Sequence, residues 1–360
     1  MPMRWSEPRH ATAEDLATCR ALLRGGSRSF HMASLLLPAR IHQPAGALYA
    51  FCRLADDEID NAVDSDAAPG SGSHDDPRAA LGRLRQRLDR AYAGRPLPVA
   101  VDRAFADVVR EHAIPRALPE ALLEGFAWDA AGRRYETLSE LIDYAARVAG
   151  TVGAMMTVLM GRRDHVTVAR ACDLGVAMQL SNIARDVGED AQAGRLYLPR
   201  SWLRQEAIDP DAWLRAPAFS PALGRVVARL LEVADSLYMR ADSGISGLPL
   251  SCRPGIGAAR LLYAEIGQEV RRRGGDSVAG RAVVPGARKL ALLARSVAAS
   301  LVPLPADPAP CLTETRFLVD AVEQSMPHHH RAPTDSRVGW MIELFTRLEA
   351  REQASLALKP

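Results

Sequence analysis

The segment at residues 179–190 reads QLSNIARDVGED. Wound as an α-helix, it puts Asn182, Asp186 and Asp190 at i, i+4 and i+8 on one face, with Gln179 one turn earlier. Apolar positions recur at helical spacing upstream of it, so a single long helix over 165–190 is expected. The stripe offers oxygen donors and no His or Cys, a set suited to magnesium or manganese rather than zinc. Magnesium held by one or two carboxylates completes its shell with water and phosphate oxygens. Arg185, beside Asp186, adds the fork-shaped, permanent cation that phosphate oxygens accept. An ordinary solvated helix face laced with ion pairs would carry the same letters.

A second stripe lies upstream, in DDEID at 56–60. Asp56 and Asp60 stand one above the other on a helix expected over 43–63, and like charges so placed repel by roughly a few tenths of a kcal/mol. The same helix carries Ala45, Ala47, Leu48, Phe51 and Ile59, so it is mostly buried and the acid pair needs cations. Arg53, one turn before Asp56, is the nearest. Alone, this motif reads equally well as an exposed acidic turn. Two facing helices that each bear such a stripe describe a diphosphate clamp. Between the stripes, YAARVAGTVGAMMTVLMG at 144–161 is almost free of polar groups and rich in Gly, Ala and Met. Small residues admit close approach and methionines adapt to irregular shapes, so the run either packs as plain core or walls a tunnel for a long apolar ligand. Beside a clamp, the tunnel is the sharper reading.

Helical periodicity extends over the rest of the chain, with helices expected near 13–24, 78–92, 99–113, 118–130, 138–160, 220–243, 255–274 and 285–302. No alternating run is framed by hairpin turns. The stretch DSDAAPGSGSHDDP at 64–77 has the composition of a flexible loop. VPLPADPAP at 302–310 marks a second break. The expected architecture is all-α: one helical bundle with a central cavity over 14–302, then a Pro-rich linker and C-terminal extension over 303–360, weakly helical near 338–350.

The 360 residues are 48% hydrophobic and 24% charged, which excludes wholesale disorder. Net charge is +2, so no nucleic-acid partner is expected. Lys289 and Lys359 are the only lysines, and whether arginine serves phosphate binding must be argued site by site. Five scattered cysteines, with no CxxC pair, fit a reducing compartment and argue against a zinc site. The polar N-terminus has no signal-peptide core, and the most apolar run, 148–160, is too short and Gly-rich to span a bilayer. A cytoplasmic location is expected. His328, His329 and His330 read as solvated tail, and Arg271, Arg272 and Arg273 as the end of a helix before Gly274.

With both stripes in place, the chain resembles the squalene/phytoene synthase family of head-to-head isoprenoid synthases, most of all its bacterial phytoene synthases. The resemblance rests on GSRSF at 26–30, LYAFCRLADDEID at 48–60, YAARVAGTVG at 144–153 and LGVAMQLSNIARDVGEDAQAGRLYLP at 174–199. RLLYAEIGQEV at 260–270 and SVAGRAVV at 277–284 continue it, so it covers about 14–300. It implies the isoprenoid-synthase helical bundle and a two-step condensation of identical prenyl diphosphates through a cyclopropyl diphosphate. For the phytoene branch this means two geranylgeranyl diphosphates, prephytoene diphosphate, and phytoene with two diphosphates released, the first committed step of carotenoid biosynthesis.

The resemblance also implies roles. Asp56, Asp60, Asn182, Asp186 and Asp190 would bind magnesium, with manganese as substitute. Ser27, Ser29, Arg53, Gln179, Arg185 and Arg281 would contact diphosphate. Tyr49, Tyr144, Tyr197 and Tyr263 would surround the diphosphate and reacting carbons, and Phe30, Val148, Gly153 and Leu180 would line the prenyl tunnel. A tyrosine or the released diphosphate would take the final proton. No nicotinamide cofactor is expected. The product is apolar enough to leave into a bilayer, so peripheral contact with the inner face of the membrane is expected. A prenyl diphosphate synthase or a phytoene desaturase would be natural neighbours.

Chain length turns on small residues. Ala33, Ser34, Gly46, Ala47 and Ala50 would leave room for the twenty-carbon substrate, with Ser34 and Gly46 the permissive pair. The rival reading is a thirty-carbon synthase of the dehydrosqualene or squalene type that uses farnesyl diphosphate. A head-to-tail elongase is disfavoured because the second stripe is not another DDxxD. A non-catalytic scaffold on the same fold is opposed by the intact aspartates.

Overall fold

Several helix starts in this chain are written in short polar caps. The side chains of Thr12, Asp76, Thr137, Asp164, Asp209 and Ser220 each accept a hydrogen bond from a backbone N–H two or three residues on. In the computed structural model, which describes residues 9–66, 76–302, 304–305, 307 and 309–325, these caps punctuate an all-helical chain with no strand among the described residues. The helices are α1 (Ala13–Gly26), α2 (Arg28–Ser34), α3 (Ala39–Asp66), α4 (Pro77–Tyr92), α5 (Ala100–Glu111), α6 (Ala117–Ala130), α7 (Leu138–Ala145) and α8 (Thr151–Leu159). They continue as α9 (His165–Gln192), α10 (Arg200–Gln205), α11 (Pro210–Arg215), α12 (Pro221–Gly247), α13 (Arg253–Arg272), α14 (Gly286–Ala299) and α15 (Arg316–Gln324).

α9 is the hub. It packs against α8, α12 and α13, and α15 closes over it from the C-terminal side. The tightest crossing is with the segment before and within α8. A Cβ built at Gly175 would lie 2.3 Å from the Ala149 carbonyl oxygen, and one at Gly153 would lie 2.2 Å from that of Ala171. Only glycine permits that approach. α3 belongs to another group, packed on α1, α4 and α5. The central cavity lies between these two groups.

Where structure and sequence expectation differ, the causes are local. The helix expected over 138–160 is interrupted by one π-helical turn, Ala146–Gly150, an inserted residue that leaves no mark in hydrophobic periodicity. α3 runs on to Asp66, into the stretch read as loop. α2, α10 and α11 are too short to show a period, and α15 was not expected. α15 buries Leu318, Val319 and Val322 against the bundle, so the segment after the Pro-rich break folds back onto it. The expected helix at 338–350 and the histidines at 328–330 lie outside the described residues. No helix among the described residues is long and apolar enough to cross a membrane.

Candidate active site

On α3, Ala45, Leu48, Tyr49 and Cys52 line the cavity, and Asp56 and Asp60 continue the same face. On α9, Thr167, Arg170, Ala171, Leu174, Gly175, Met178, Gln179 and Asn182 line it, and Asp186 and Asp190 continue that face. Each helix thus changes from wall to acid stripe along one side, in the same chain direction. At 1.5 Å per residue, the wall on α9 from Thr167 to Asn182 runs ~22 Å. The cavity holds about 1140 Å³ of empty space including its opening, and Val148, Val152, Met156 and Met160 complete an apolar lining.

The acid end is dense with arginine. Arg185 binds Asp186 through Nε and Nη2, both at 2.6 Å, and Arg281 binds the same carboxylate through Nε and Nη2, both at 2.8 Å. Arg281 also reaches Glu189 at 3.4 Å. On the other stripe, Arg195 donates to Asp60 at 2.6 Å. Arg53 turns chiefly to Asp57, at 2.6 Å, with Asp56 at 3.5 Å. Burial first, and then the Asp60 carboxylate, pushes Asp56 up to about 6. Burial and the Asp186 carboxylate push Asp190 up to about 7. These two acids hold protons well above the usual carboxylate range, which is the signature of a site built to receive positive charge.

The donor set fits a hard divalent cation. The Asn182 Oδ1 atom is buried and has no hydrogen-bond partner, one turn from Asp186. Among the described residues no three acidic, His or Cys groups converge on one point, so no closed protein cage exists. That pattern suits magnesium, which takes one or two carboxylates per ion and fills the rest of its shell from water and phosphate.

Sequence reasoning missed the group behind the acids. Asp129, at the end of α6, accepts hydrogen bonds from the Tyr144 hydroxyl at 2.8 Å and the Tyr197 hydroxyl at 2.7 Å. Burial pushes its carboxyl up to about 6, although both tyrosines pull it down. The Tyr135 ring stacks on Tyr197 and tilts against Tyr144, with centroids 6.2 and 5.2 Å apart. The signal for Asp129 was present as a lone acid in the apolar run FAWDA at 126–130, but one carboxylate has no period. Arg195 was equally hidden, in the turn after α9.

Of the expected tunnel residues, Phe30, Val148 and Gly153 line the cavity, as do Tyr49, Tyr263 and Gln179. Phe30 stacks on Tyr49, centroids 5.6 Å apart. Leu180 does not: it is fully buried in the core, one position off the stripe that Gln179 occupies. Tyr144 and Tyr197 face Asp129 and are not among the lining residues. The Ser27 hydroxyl accepts from Phe30 N–H and so caps α2, while the Ser29 hydroxyl is in none of the side-chain hydrogen bonds among the described residues. Ser34 and Gly46 are not lining residues either; the Ser34 hydroxyl donates to the His31 carbonyl.

The squalene/phytoene synthase family model matches residues 23–288. The chain belongs to that family. It is a member of the prenyltransferases, a class that works on prenyl diphosphates with divalent metal. The chain is 50% identical over 347 residues to the phytoene synthase of Cereibacter sphaeroides, covering 94% of this chain and 95% of that one. It is 51% identical to the phytoene synthase of Rhodobacter capsulatus, covering 94% and 97%. Among solved structures it is similar to a dehydrosqualene synthase in complex with ligand, at 31% identity and a TM-score of 0.70, covering 79% of this chain and 96% of that one.

Proposed function

We propose that the chain condenses two geranylgeranyl diphosphates head to head, through prephytoene diphosphate, to phytoene, with release of both diphosphates. The observation that carries this reading is the change from apolar wall to acid stripe on one face of both α3 and α9. A prenyl tail laid along the wall brings its diphosphate to the stripes. The phytoene synthase names of relatives 50% and 51% identical favour the forty-carbon product.

Asp56, Asp60, Asn182, Asp186 and Asp190 would hold magnesium there. When bound, magnesium offsets the charge of the departing diphosphate. The protein's own part begins with arginine. Arg185, Arg281 and Arg53 each hold a carboxylate and can turn their forks to phosphate oxygens. Met156, Val152 and Val148 exclude water from the allylic cation left at the first substrate's C1, so that the second substrate's double bond captures it. Tyr49 and Tyr263 stand at the acid end of the wall, where an aromatic face holds a cation by roughly 0.5–2 kcal/mol. Asp129 fixes the hydroxyls of Tyr144 and Tyr197 by accepting from both.

The test is incubation of purified protein with magnesium and either farnesyl or geranylgeranyl diphosphate, with product mass and ultraviolet spectrum read out. The expected result is a conjugated forty-carbon triene from geranylgeranyl diphosphate. A thirty-carbon product from farnesyl diphosphate would keep the mechanism and overturn the substrate.

A further inference from the structure

The apolar tunnel has an unusual residue at the end away from the acids. Arg170 lines the cavity there, yet its side chain is only 1% exposed and is the largest fully buried one among the described residues. A guanidinium in that position must have every charge matched. Asp173, fully buried on the same helix, faces its Nε at 3.1 Å and also receives Arg240 from α12 at 2.9 Å. The other partners come from beyond the bundle. Asp307 accepts from Nη1 at 2.9 Å, and the carbonyls of Ala309 and Pro310 accept from Nη2 at 3.0 and 3.2 Å. Arg240 donates to the Pro310 carbonyl as well, at 2.7 Å. Gly244 on α12 gives the Arg170 stem its room, since a Cβ there would sit 2.2 Å from the Arg170 Cβ.

The strap residues Asp307, Ala309 and Pro310 all lie outside the stretch that matches the family, 23–288. We infer that this C-terminal strap sets the depth of the prenyl tunnel, by holding Arg170 in place as its closed end. The inference rests on the proposed function. It makes Arg170 and Asp307 specificity-determining residues, which select prenyl length without touching the reacting carbons. The chemistry is simple exclusion: an apolar tail one isoprene unit longer would have to displace a charged group whose hydrogen bonds it cannot replace.

The experiment compares kcat/KM for twenty-carbon geranylgeranyl diphosphate with that for twenty-five-carbon geranylfarnesyl diphosphate. The proteins are the unaltered full-length chain, Arg170→Ala and Asp307→Ala. A pocket typically discriminates one methylene by about tenfold or more, so Arg170→Ala should raise the relative preference for the longer substrate at least ~10-fold. Asp307→Ala, which loosens the stopper without removing it, should shift the ratio the same way by less. Asp307 is surface-accessible, so this variant decides the matter if Arg170→Ala does not fold. Unchanged ratios, with turnover of the twenty-carbon substrate retained, would overturn the inference and leave the function standing. No turnover of either substrate by the unaltered protein would overturn the function, and the inference with it.

Discussion

The two acid stripes are alike in sequence and unlike in state. On α9, Asp186 is already gripped by two bidentate arginines, Arg185 and Arg281. On α3, Asp60 has one partner, Arg195, and Asp56 has only a long contact to Arg53, at 3.5 Å. On α9, then, Asp186 is the paired acid, while on α3 Asp56 stays open; on the proposed function the arginines at Asp186 are the ones that would turn to diphosphate. Asp190, further along α9, is open in the same way and holds its proton up to about pH 7. Spacing alone could not distinguish stored from open carboxylates, because both are four residues apart.

The comparison breaks most visibly at the open acids. Asp190→Asn removes a proposed metal ligand that no arginine can replace, and kcat/KM should fall by ~10³-fold at saturating magnesium, a loss typical of an electrostatic group at a developing charge. Asp57→Asn frees Arg53 without touching either stripe, and should change the same constant by no more than about threefold. Equal losses in these two variants would contradict the distinction.

Arginine comes next. Arg281→Ala removes a charge-assisted bidentate pair worth roughly 1.5–3 kcal/mol, so KM should rise about ten- to a hundredfold with a smaller change in kcat. Behind the stripes, Tyr197→Phe leaves Asp129 with a single tyrosine donor. It should lower kcat by roughly tenfold and stability by about 1 kcal/mol, as measured by steady-state kinetics and denaturant unfolding.

The smallest effect is on pH. Asp56 at about 6 and Asp190 at about 7 lie above the unfolded value of 3.8, so between these limits the folded protein holds protons that the unfolded chain has released. Folding is then disfavoured as pH rises through that window, and the loss is complete above it. The metal-free protein should melt a few °C lower at about pH 8 than at about pH 5, from this contribution. Magnesium should remove most of the difference, since it binds the ionised forms. Differential scanning calorimetry with and without the ion checks it.

Much of this molecule was legible from its letters. Long amphipathic helices announce themselves by period, and α3, α9 and α12 fall within a few residues of expectation. Stripes at i, i+4 and i+8 are read the same way, which is why the metal-binding candidates share two helix faces. What escaped had no period. Asp129 and Arg195 act as single residues brought in by the fold. Leu180 is a tunnel residue only by the family resemblance; it stands one position, a turn of about 100°, from the lining residue Gln179, and that turn sends it into the core. The strap of Asp307, Ala309 and Pro310, with α15, reads in sequence as a separate tail because prolines interrupt the chain. The ion pair that draws it back joins residues 137 apart, Arg170 and Asp307.

The central claim is that α3 and α9 hold a metal diphosphate jointly over an apolar wall. Calorimetric titration with a non-reacting thiolo-diphosphate analogue of geranylgeranyl diphosphate tests it directly, on the unaltered protein, Asp56→Asn and Asp190→Asn, each with and without magnesium. The account predicts tight binding only with magnesium, weakened by ~10-fold or more when either stripe is altered. Binding that ignores magnesium, or that survives loss of one stripe unchanged, would contradict it.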